Sequence, residues 1–586
     1  MDKKILIGGA WPYANGSLHI GHIAGLLPGD VLARYHRACK DKVYFVSGSD
    51  CHGTPVAIRA KAEGKSPREI SDFYHEEFTE CFRKLGFTYD CYTKTSGEGH
   101  KSFVQNFHKE LYKSDYVYEK ETPQAYCECC NSFLADRFVT GICPSCGEPA
   151  RGDQCDLCGT VLDPENLKEP ICAVCHNPIS FRKSTHLYIA ISKLENELKA
   201  LVDGSSNWRK NAIAFTNRYI DEGLRDRALT RDLDWGITVP KEGYEKKSIY
   251  IWAENVLGYL SAAKQVCDSR GELFEELFGG GCAEGEGNGA QGADNEKGVE
   301  EKRDEERVRH YYVHGKDNIP FHTIILPALL LAHGKGYRLP DRIISSEYLT
   351  LEGKKISTSR NYAIWVKDLL DRYDADSLRY YFLANGPEKK DADFSWSEYV
   401  NNHNGELLGA YGNFVNRSLA FINKYLGGEV PEKNRVISEN FSDDSKDDKE
   451  IFTDDYEWKQ TLENLYIIAG ENIEKGNFKE ALEVIFEAVR RANKYFDEQE
   501  PWKTRTQDEN KCRATLNRCV QIIANLATLL APFIPFSSEK VFGWLDIDAE
   551  WKYKEISAGK KLPEIEVLFE RLDKKIVEEE RSRLNL

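Results

Sequence analysis

The stretch that decides the fold is Lys4-Ile5-Leu6-Ile7-Gly8-Gly9-Ala10, followed by Trp11-Pro12-Tyr13-Ala14-Asn15-Gly16-Ser17-Leu18 and then His19-Ile20-Gly21-His22. A short apolar run opens it and reads as a buried strand over 4–10. A turn rich in Pro, Asn and Gly follows, and a helix begins near His19. Strand, loop and helix in this order open a parallel α/β sheet. Val43-Tyr44-Phe45-Val46-Ser47 predicts a second buried strand. It ends in the turn Asp50-Cys51-His52-Gly53-Thr54-Pro55, at the carboxyl edge where open α/β sheets bind ligands.

Farther along, Lys355-Ile356-Ser357-Thr358-Ser359 forms a second polar string. Alone, a histidine pair is usually structural and a Lys/Ser run is usually a solvated loop. As an ordered pair they imply one nucleotide site assembled from two halves of the chain. Imidazole and ammonium donors can follow negative charge as it builds on a triphosphate, so the pair points to ATP chemistry.

Between these strings the α/β alternation breaks. The chain holds 17 cysteines, and eight of them form four Cys-x-x-Cys pairs: Cys127/Cys130, Cys143/Cys146, Cys155/Cys158 and Cys172/Cys175. No signal-peptide core precedes them, so the chain is expected to be cytosolic, where such spacing means metal rather than disulfides. The residues after each second cysteine are Asn131, Gly147, Gly159 and His176, types suited to the positive φ that a knuckle needs. Eight thiolates predict two closed, structural Zn²⁺ sites. Nesting is expected, with the 143/146 and 155/158 pairs sharing one ion and the outer pairs another. Cys129 leaves the outer ligand set ambiguous.

Ser248–Trp252 and Val308–His314 read as strands that complete the sheet, while 180–235 reads as helical. After about 400 the strand pattern ends. Segments 401–426, 456–474, 477–498, 509–530 and 567–584 show helical periodicity and predict a C-terminal bundle. The net charge is −16, but residues 281–310 and 439–457 carry −11 of it and read as surface insertions. The Gly/Glu/Asn-rich run to Glu306 is expected to be a disordered loop. The remainder can hold local basic faces, for which Arg209, Lys210, Arg218, Arg225, Arg227 and Arg231 are candidates. No run of about 18 apolar residues appears, which argues against a membrane-spanning helix. Met1 is the only methionine in the chain.

The run Ala10 to His22 resembles the HIGH region of class I aminoacyl-tRNA synthetases in its methionyl form, and Lys355 to Ser359 is similar to their KMSKS loop. Asp50 to Pro55, Gly315-Lys316-Asp317 and Trp252-Ala253-Glu254-Asn255 resemble further segments of that family. The resemblance implies a Rossmann-type parallel sheet split by the zinc-knuckle insertion, then a small stem-contact region and a C-terminal α-helical bundle. The implied boundaries are 1–116 and 236–340 for the two sheet halves, 117–235 for the insertion, 341–398 for the region with the KISTS loop, and 399–586 for an anticodon-binding bundle.

The implied reaction activates methionine with ATP and Mg²⁺ to methionyl-adenylate and transfers it to the 3′-terminal adenosine of tRNA(Met), initiator tRNA included. Catalysis is then positioning and charge neutralisation, with no covalent nucleophile. The resemblance places ATP against His19, Gly21, His22, Gly315, Asp317, Lys355 and Thr358. Thr358 stands where the family has its second loop lysine, so Lys355, with Lys354 or Arg360, must carry more of the pyrophosphate. The implied methionine pocket is Ala10, Trp11, Tyr13, Trp252, Asn255, Val256, Tyr259, Phe321 and His322. Asp50 takes the ammonium, and Arg231 is a candidate for the carboxylate or the α-phosphate. Asn413, Arg417, Pro501 and Trp502 resemble anticodon-reading residues. With no appended tRNA-binding barrel, a monomer is expected. A leucyl or cysteinyl enzyme and a non-catalytic RNA-binding relative remain alternatives at this point.

Overall fold

The apolar run at the start forms the central strand of the sheet. In the computed structural model, Lys4–Gly9 lies between Val308–Gly315 and Lys42–Ser49, with Arg342–Ser346 and Cys91–Lys94 at the edges. The structure describes residues 3–134, 138–152, 155, 162, 164–279, 307–358, 361–432 and 446–584. All four pairings in this sheet are parallel. The chain therefore starts in the middle, winds outward to one edge, and returns on the other side of its first strand. That reversal leaves a crevice at the carboxyl ends of Lys4–Gly9 and Val308–Gly315, the switch point where doubly wound sheets bind ligands.

The pleat sorts the side chains to two cores. Ile5, Ile7, Val43, Phe45, Tyr311 and Val313 face one cluster, and Leu6, Tyr44, Val46 and Tyr312 face the other. The first cluster runs without a break from the sheet through Leu26, Leu27 and Val31 to Ile522, Ile523 and Leu526 of the terminal bundle. The helix Ile20–Ala38, which begins at the histidine string, is thus buried between sheet and bundle. Arg379 fixes this junction. It is fully buried against Asp30 at 2.7 Å and donates to the carbonyls of Phe533, Pro532 and Leu85. Asp30 also accepts from Arg34 and Thr88, so this buried pair is fully hydrogen-bonded.

Three sequence expectations need correction. Residues 180–189 are not helical: Ser180–Ile189 is a strand that pairs antiparallel with Val117–Cys127 along its length. This long ribbon, flanked by the short strands Ser132–Phe133 and Arg227–Ala228, carries the cysteine pairs at its tip. Much of it is exposed on both faces, so it shows no alternating apolar pattern. Ser248–Trp252 is not a sheet strand. Only Ser248–Ile249 is extended, paired with Thr230–Arg231, and a short helix starts at Ile251. In the bundle, Lys446–Glu474, Phe478–Gln499 and Glu509–Leu530 are helices, but 567–574 is not, and the helix Pro535–Leu545 was missed. His403–Gly412 is a π-helical turn before the helix Asn413–Tyr425. The Gly/Glu/Asn-rich run at 280–306 and the start of the acidic 439–457 stretch lie outside the described residues.

Candidate active site

At the switch point the local sequence sets two imidazoles. His19 is the N-cap of Ile20–Ala38. Its Nδ1 accepts from the Gly21 amide at 3.1 Å, and His22 Nδ1 accepts from the His19 amide at 3.1 Å. A ring nitrogen that accepts an N–H carries no proton, so both rings keep theirs on Nε2. Burial holds both neutral: His19 is pushed down to about 2, helped by His22, and His22 to about 4. The rings lie 3.9 Å apart at a helix N-terminus. The arrangement offers two neutral N–H donors at the positive end of a helix, a setting suited to phosphate oxygens. A Cβ at Gly21 would lie 2.9 Å from the His19 ring, so glycine is required there by the cap itself, whether or not adenine packs against it.

The second string is brought to this helix start. Ile20 N–H donates to Ile364 C=O, Val366 N–H donates to Leu18 C=O, and His19 bridges Trp365. Ile356 reaches within 3.8 Å of where a Gly21 Cβ would stand. Lys355 lies on the strand Lys354–Lys355, opposite Thr350, and is exposed, as is Thr358. Ser359 and Arg360 lie outside the described residues. Gly315 ends its strand 3.5 Å from the position of a Cβ on Gly25, and Asp317 follows as an exposed residue hydrogen-bonded by Tyr348.

Beside this lies a packed cluster of aromatic rings. The Trp11 indole fills a slot between two glycines: a Cβ at Gly48 or Gly258 would come within 2.5 or 2.6 Å of it. Tyr259 meets Trp11 edge-on at 6.4 Å and its hydroxyl is 2.7 Å from His322 Nε2. His322 Nδ1 lies 2.8 Å from the Asn318 carbonyl, so Nδ1 holds the proton and Nε2 accepts from Tyr259. Trp252 packs on Phe321 at 4.7 Å, and Val256 is buried behind them. Phe321 and His322 open a π-helical turn, Phe321–Ile325, a geometry frequent at functional sites. Ala10 N–H donates to Val313 C=O, tying this wall to the sheet, and Tyr13 bridges Asp50. Arg231 lies over the Tyr250 ring at 3.9 Å, which in turn packs on Trp252.

Sequence reasoning missed what stands around Asp50. This buried carboxyl accepts from Asn255 and from the His52 amide, and it is raised well above the usual carboxylate range by burial and by the field of Glu254. Glu254 is fully buried, hydrogen-bonded to His52 Nδ1 and 3.8 Å from His100 Nε2. Glu254 sat unassigned in the Trp-Ala-Glu-Asn segment, whereas His100 carried no sequence signal. Gly48 and Gly258 were missed for the same reason. The basic-face expectation also needs correction: Arg209 is interior, donating to the carbonyls of Glu388 and Gly476.

At the ribbon tip the outer cysteines Cys127, Cys130, Cys172 and Cys175 come together, as do Cys143, Cys146 and Cys155; Cys158 lies outside the described residues. The sulfur separations are 3.4 Å for Cys127–Cys175, 3.9 Å for Cys130–Cys172 and 3.6 Å for Cys146–Cys155. A tetrahedron with Zn–S bonds of about 2.3 Å places its sulfurs about 3.8 Å apart, so the donors fit that ion. Asn131, Gly147 and His176 have φ of 50°, 79° and 58°. A cleft of about 1010 Å³ separates the knuckle region (Cys130, Leu134, Val174) from the sheet rim at Gly53 and Trp235.

In the bundle, Arg417 lies over Phe496 at 4.5 Å and Trp502 at 5.8 Å and pairs with Asp497. Trp502 is 43% exposed, beside buried Pro501. Asn413, exposed, is one turn before Arg417 on the same helix.

Comparison with known proteins covers nearly the whole chain. Residues 5–419 match the family model described as tRNA synthetases class I (M), and 454–585 match the anticodon binding domain of methionyl tRNA ligase. A methionine–tRNA ligase of Bacillus cereus (strain Q1) is 49% identical over 585 residues, 99% of each chain. Methionine–tRNA ligase 1 of Alkaliphilus oremlandii is 48% identical over 584 residues, again 99% of each. In fold, the chain resembles Mycobacterium tuberculosis methionyl-tRNA synthetase solved with methionyl-adenylate, at TM-score 0.74 and 22% identity over 97% of this chain and 100% of that one.

Proposed function

The chain belongs to the methionyl family of class I tRNA synthetases and is a methionine–tRNA ligase, and from that premise we propose how its own residues carry the two steps. The observation that carries the assignment is the meeting of the His19 helix start with the Lys355 loop at the sheet's switch point. Methionine enters the aromatic pocket, with its ammonium on Asp50 and its thioether among Trp11, Trp252, Tyr259 and Phe321. The Tyr259 hydroxyl hydrogen is held by His322 and the His322 hydrogen by the Asn318 carbonyl, so the pair offers the sulfur its rings and the hydroxyl oxygen's neighbourhood, a polarisable setting that suits a thioether. Arg231 is the candidate cation for the carboxylate or α-phosphate.

ATP lies across the switch point, with adenine over Gly21 and the ribose on Asp317 and the Gly315 turn. The methionine carboxylate attacks the α-phosphate in line, and pyrophosphate leaves. His19 and His22, neutral at Nε2–H, donate to the phosphate oxygens, while Lys355 neutralises the departing pyrophosphate together with Mg²⁺ carried by ATP. Thr358 contributes at most a hydroxyl. In the second step the 3′-terminal adenosine of tRNA(Met), initiator tRNA included, takes the methionyl group and AMP leaves.

The division into 1–116, 117–235, 236–340, 341–398 and 399–586 follows this reading. Cys127, Cys130, Cys172 and Cys175 would hold one zinc ion at the ribbon tip, and Cys143, Cys146 and Cys155, with Cys158 as the fourth ligand expected from the sequence, would hold the other. Bound zinc supplies local folding energy and no chemistry of its own. Asn413, Arg417, Pro501 and Trp502 meet the anticodon, with Trp502 exposed for stacking. Among the described residues no helix is long and apolar enough to cross a membrane. We further read the chain as a cytoplasmic monomer.

Pyrophosphate exchange into ATP, run with each of the twenty amino acids, tests the assignment. Exchange supported by methionine and reduced about 10²–10³-fold in Lys355→Ala is expected, the scale of losing one transition-state donor. Exchange supported by leucine and not methionine, or none at all, overturns it.

A further inference from the structure

Two fully buried carboxyls stand together at the proposed ammonium site, and neither forms an ion pair with a lysine or arginine among the described residues. Asp50 closes the first turn of the pocket, and Glu254 lies on the short helix Ile251–Asn255, whose last residue hydrogen-bonds Asp50. The titratable groups packed against them are two histidines and a cysteine. His52, from the Asp50 turn, occupies Glu254 Oε1, and its amide donates to Asp50. His100, from the helix Glu98–Leu111, approaches the same oxygen; its other nitrogen is 2.8 Å from Ser261, and burial pushes it down to about 3. Cys51 sits next to Asp50 with its thiol raised by burial to about 11.

Three buried polar atoms here have no hydrogen-bond partner among the described residues: Glu254 Oε2, His100 Nε2 and Trp11 Nε1. Trp11 and His100 are ring neighbours at 5.8 Å, so the three gather at the back of the pocket. Two buried acids with only histidines beside them, and no lysine or arginine among the described residues, are costly to keep doubly ionised, since a buried charge loses its solvation. Both acids meet His52, Asp50 at its amide and Glu254 at its ring, and like-charge acids held this near to one another share a proton and titrate as a pair.

We propose that Asp50 and Glu254 act as one acid pair that retains a proton until the amino-acid ammonium displaces it, making Glu254 a specificity-determining residue for the amino group. The exchange balances: one O–H proton leaves to solvent for each ammonium bound, and no other bond changes. Glu254 raises the cost of an empty, doubly charged pocket and so makes binding depend on a true cation. A thioether acid that lacks the amino group displaces no proton and gains nothing from the pair. The inference rests on the reading of Asp50 as the ammonium ligand.

The test is calorimetric titration of the full chain with methionine at pH 6, 7 and 8, in buffers of different ionisation enthalpy. The probe for comparison is 4-(methylthio)butyrate, which is methionine without its amino group. Proton release approaching one per methionine is expected, with affinity rising up to about tenfold per pH unit while the pair holds its proton. The butyrate should release none. In Glu254→Gln the released proton and the pH dependence should shrink, with butyrate affinity held within about twofold; a purely structural Glu254 would weaken both ligands alike. Wild-type binding without proton release and with flat affinity from pH 6 to 8 overturns the inference, and needs no variant. Asp50→Asn separates the premise: methionine binding that survives it refutes the ammonium reading, whereas its loss beside a normal pH response in Glu254→Gln refutes only the pair.

Discussion

Gly258→Ala should damage methionine recognition while leaving ATP recognition nearly intact. Gly258 begins the helix Gly258–Arg270 in ordinary helical backbone, where alanine is at least as favourable as glycine. The substitution therefore acts only through its methyl group. That carbon would lie 2.6, 2.8 and 3.0 Å from three atoms of the Trp11 indole, against a normal carbon contact of about 3.5 Å or more. The ring must shift by about 1 Å. It cannot retreat toward Gly48, where even a Cβ would stand 2.5 Å from the same ring. Overpacking of this kind costs about 1–3 kcal/mol. Expressed at the pocket, that raises KM for methionine about 5–150-fold, with KM for ATP within about twofold. The assay is steady-state pyrophosphate exchange with each substrate varied in turn, beside a melting curve. Trp11→Leu in the Gly258→Ala background should restore part of the loss by removing the ring that is struck. Unchanged methionine KM, or an equal rise for both substrates, refutes the reasoning.

The buried histidines make the fold acid-sensitive. His22, His108, His310 and His322 are lowered by burial to about 4, so between there and the unfolded value of about 6.5 the unfolded chain binds more protons. Their stabilisation is whole above about pH 6.5 and is lost as pH falls, by about 1.4 kcal/mol each at pH 5.5, while the raised Asp50 and Asp376 work in the opposite sense. Thermal melts at pH 7.5, 6.5 and 5.5 should show Tm falling, and a Tm that rises with acid contradicts the account. Metal analysis should find about two zinc per chain, and Cys172→Ser should lose about one, with tRNA charging reduced more than pyrophosphate exchange. Full metal content in that variant would contradict the ligand set. Trp502→Ala should raise KM for tRNA about 5–150-fold, the worth of one stacked base at about 1–3 kcal/mol, without altering exchange. A defect in exchange would place Trp502's role elsewhere.

How far the chain could be read in advance follows from how local each signal is. The opening strand, the His19 turn and the strand Val308–Gly315 were legible because strands buried on both faces leave continuous apolar runs with sharp turns. The ribbon Val117–Cys127 with Ser180–Ile189 was not, since much of it faces solvent on both sides and nothing in its composition demands a partner. Ser248–Trp252 misled because aromatic and β-branched residues suit a strand, while the tertiary setting turns Ile251–Asn255 into a helix that delivers Asn255 and Glu254 to Asp50.

The available chemistry is written in the residues themselves: two imidazoles at a helix start, a lysine loop, an aromatic set with one acid, and thiolates in knuckle spacing. These depend on residue type and near-neighbour spacing, which a chain carries unfolded. The protonation pattern and the fit arise with folding. It placed both Nδ1 atoms on backbone amides, leaving Nε2–H to donate. It closed Gly48 and Gly258 around Trp11, and set Glu254 and His100 behind Asp50. The reason is physical: desolvation, contact distance and the field of a neighbouring charge are set by residues far apart in the chain, and they have no value until folding brings those residues together.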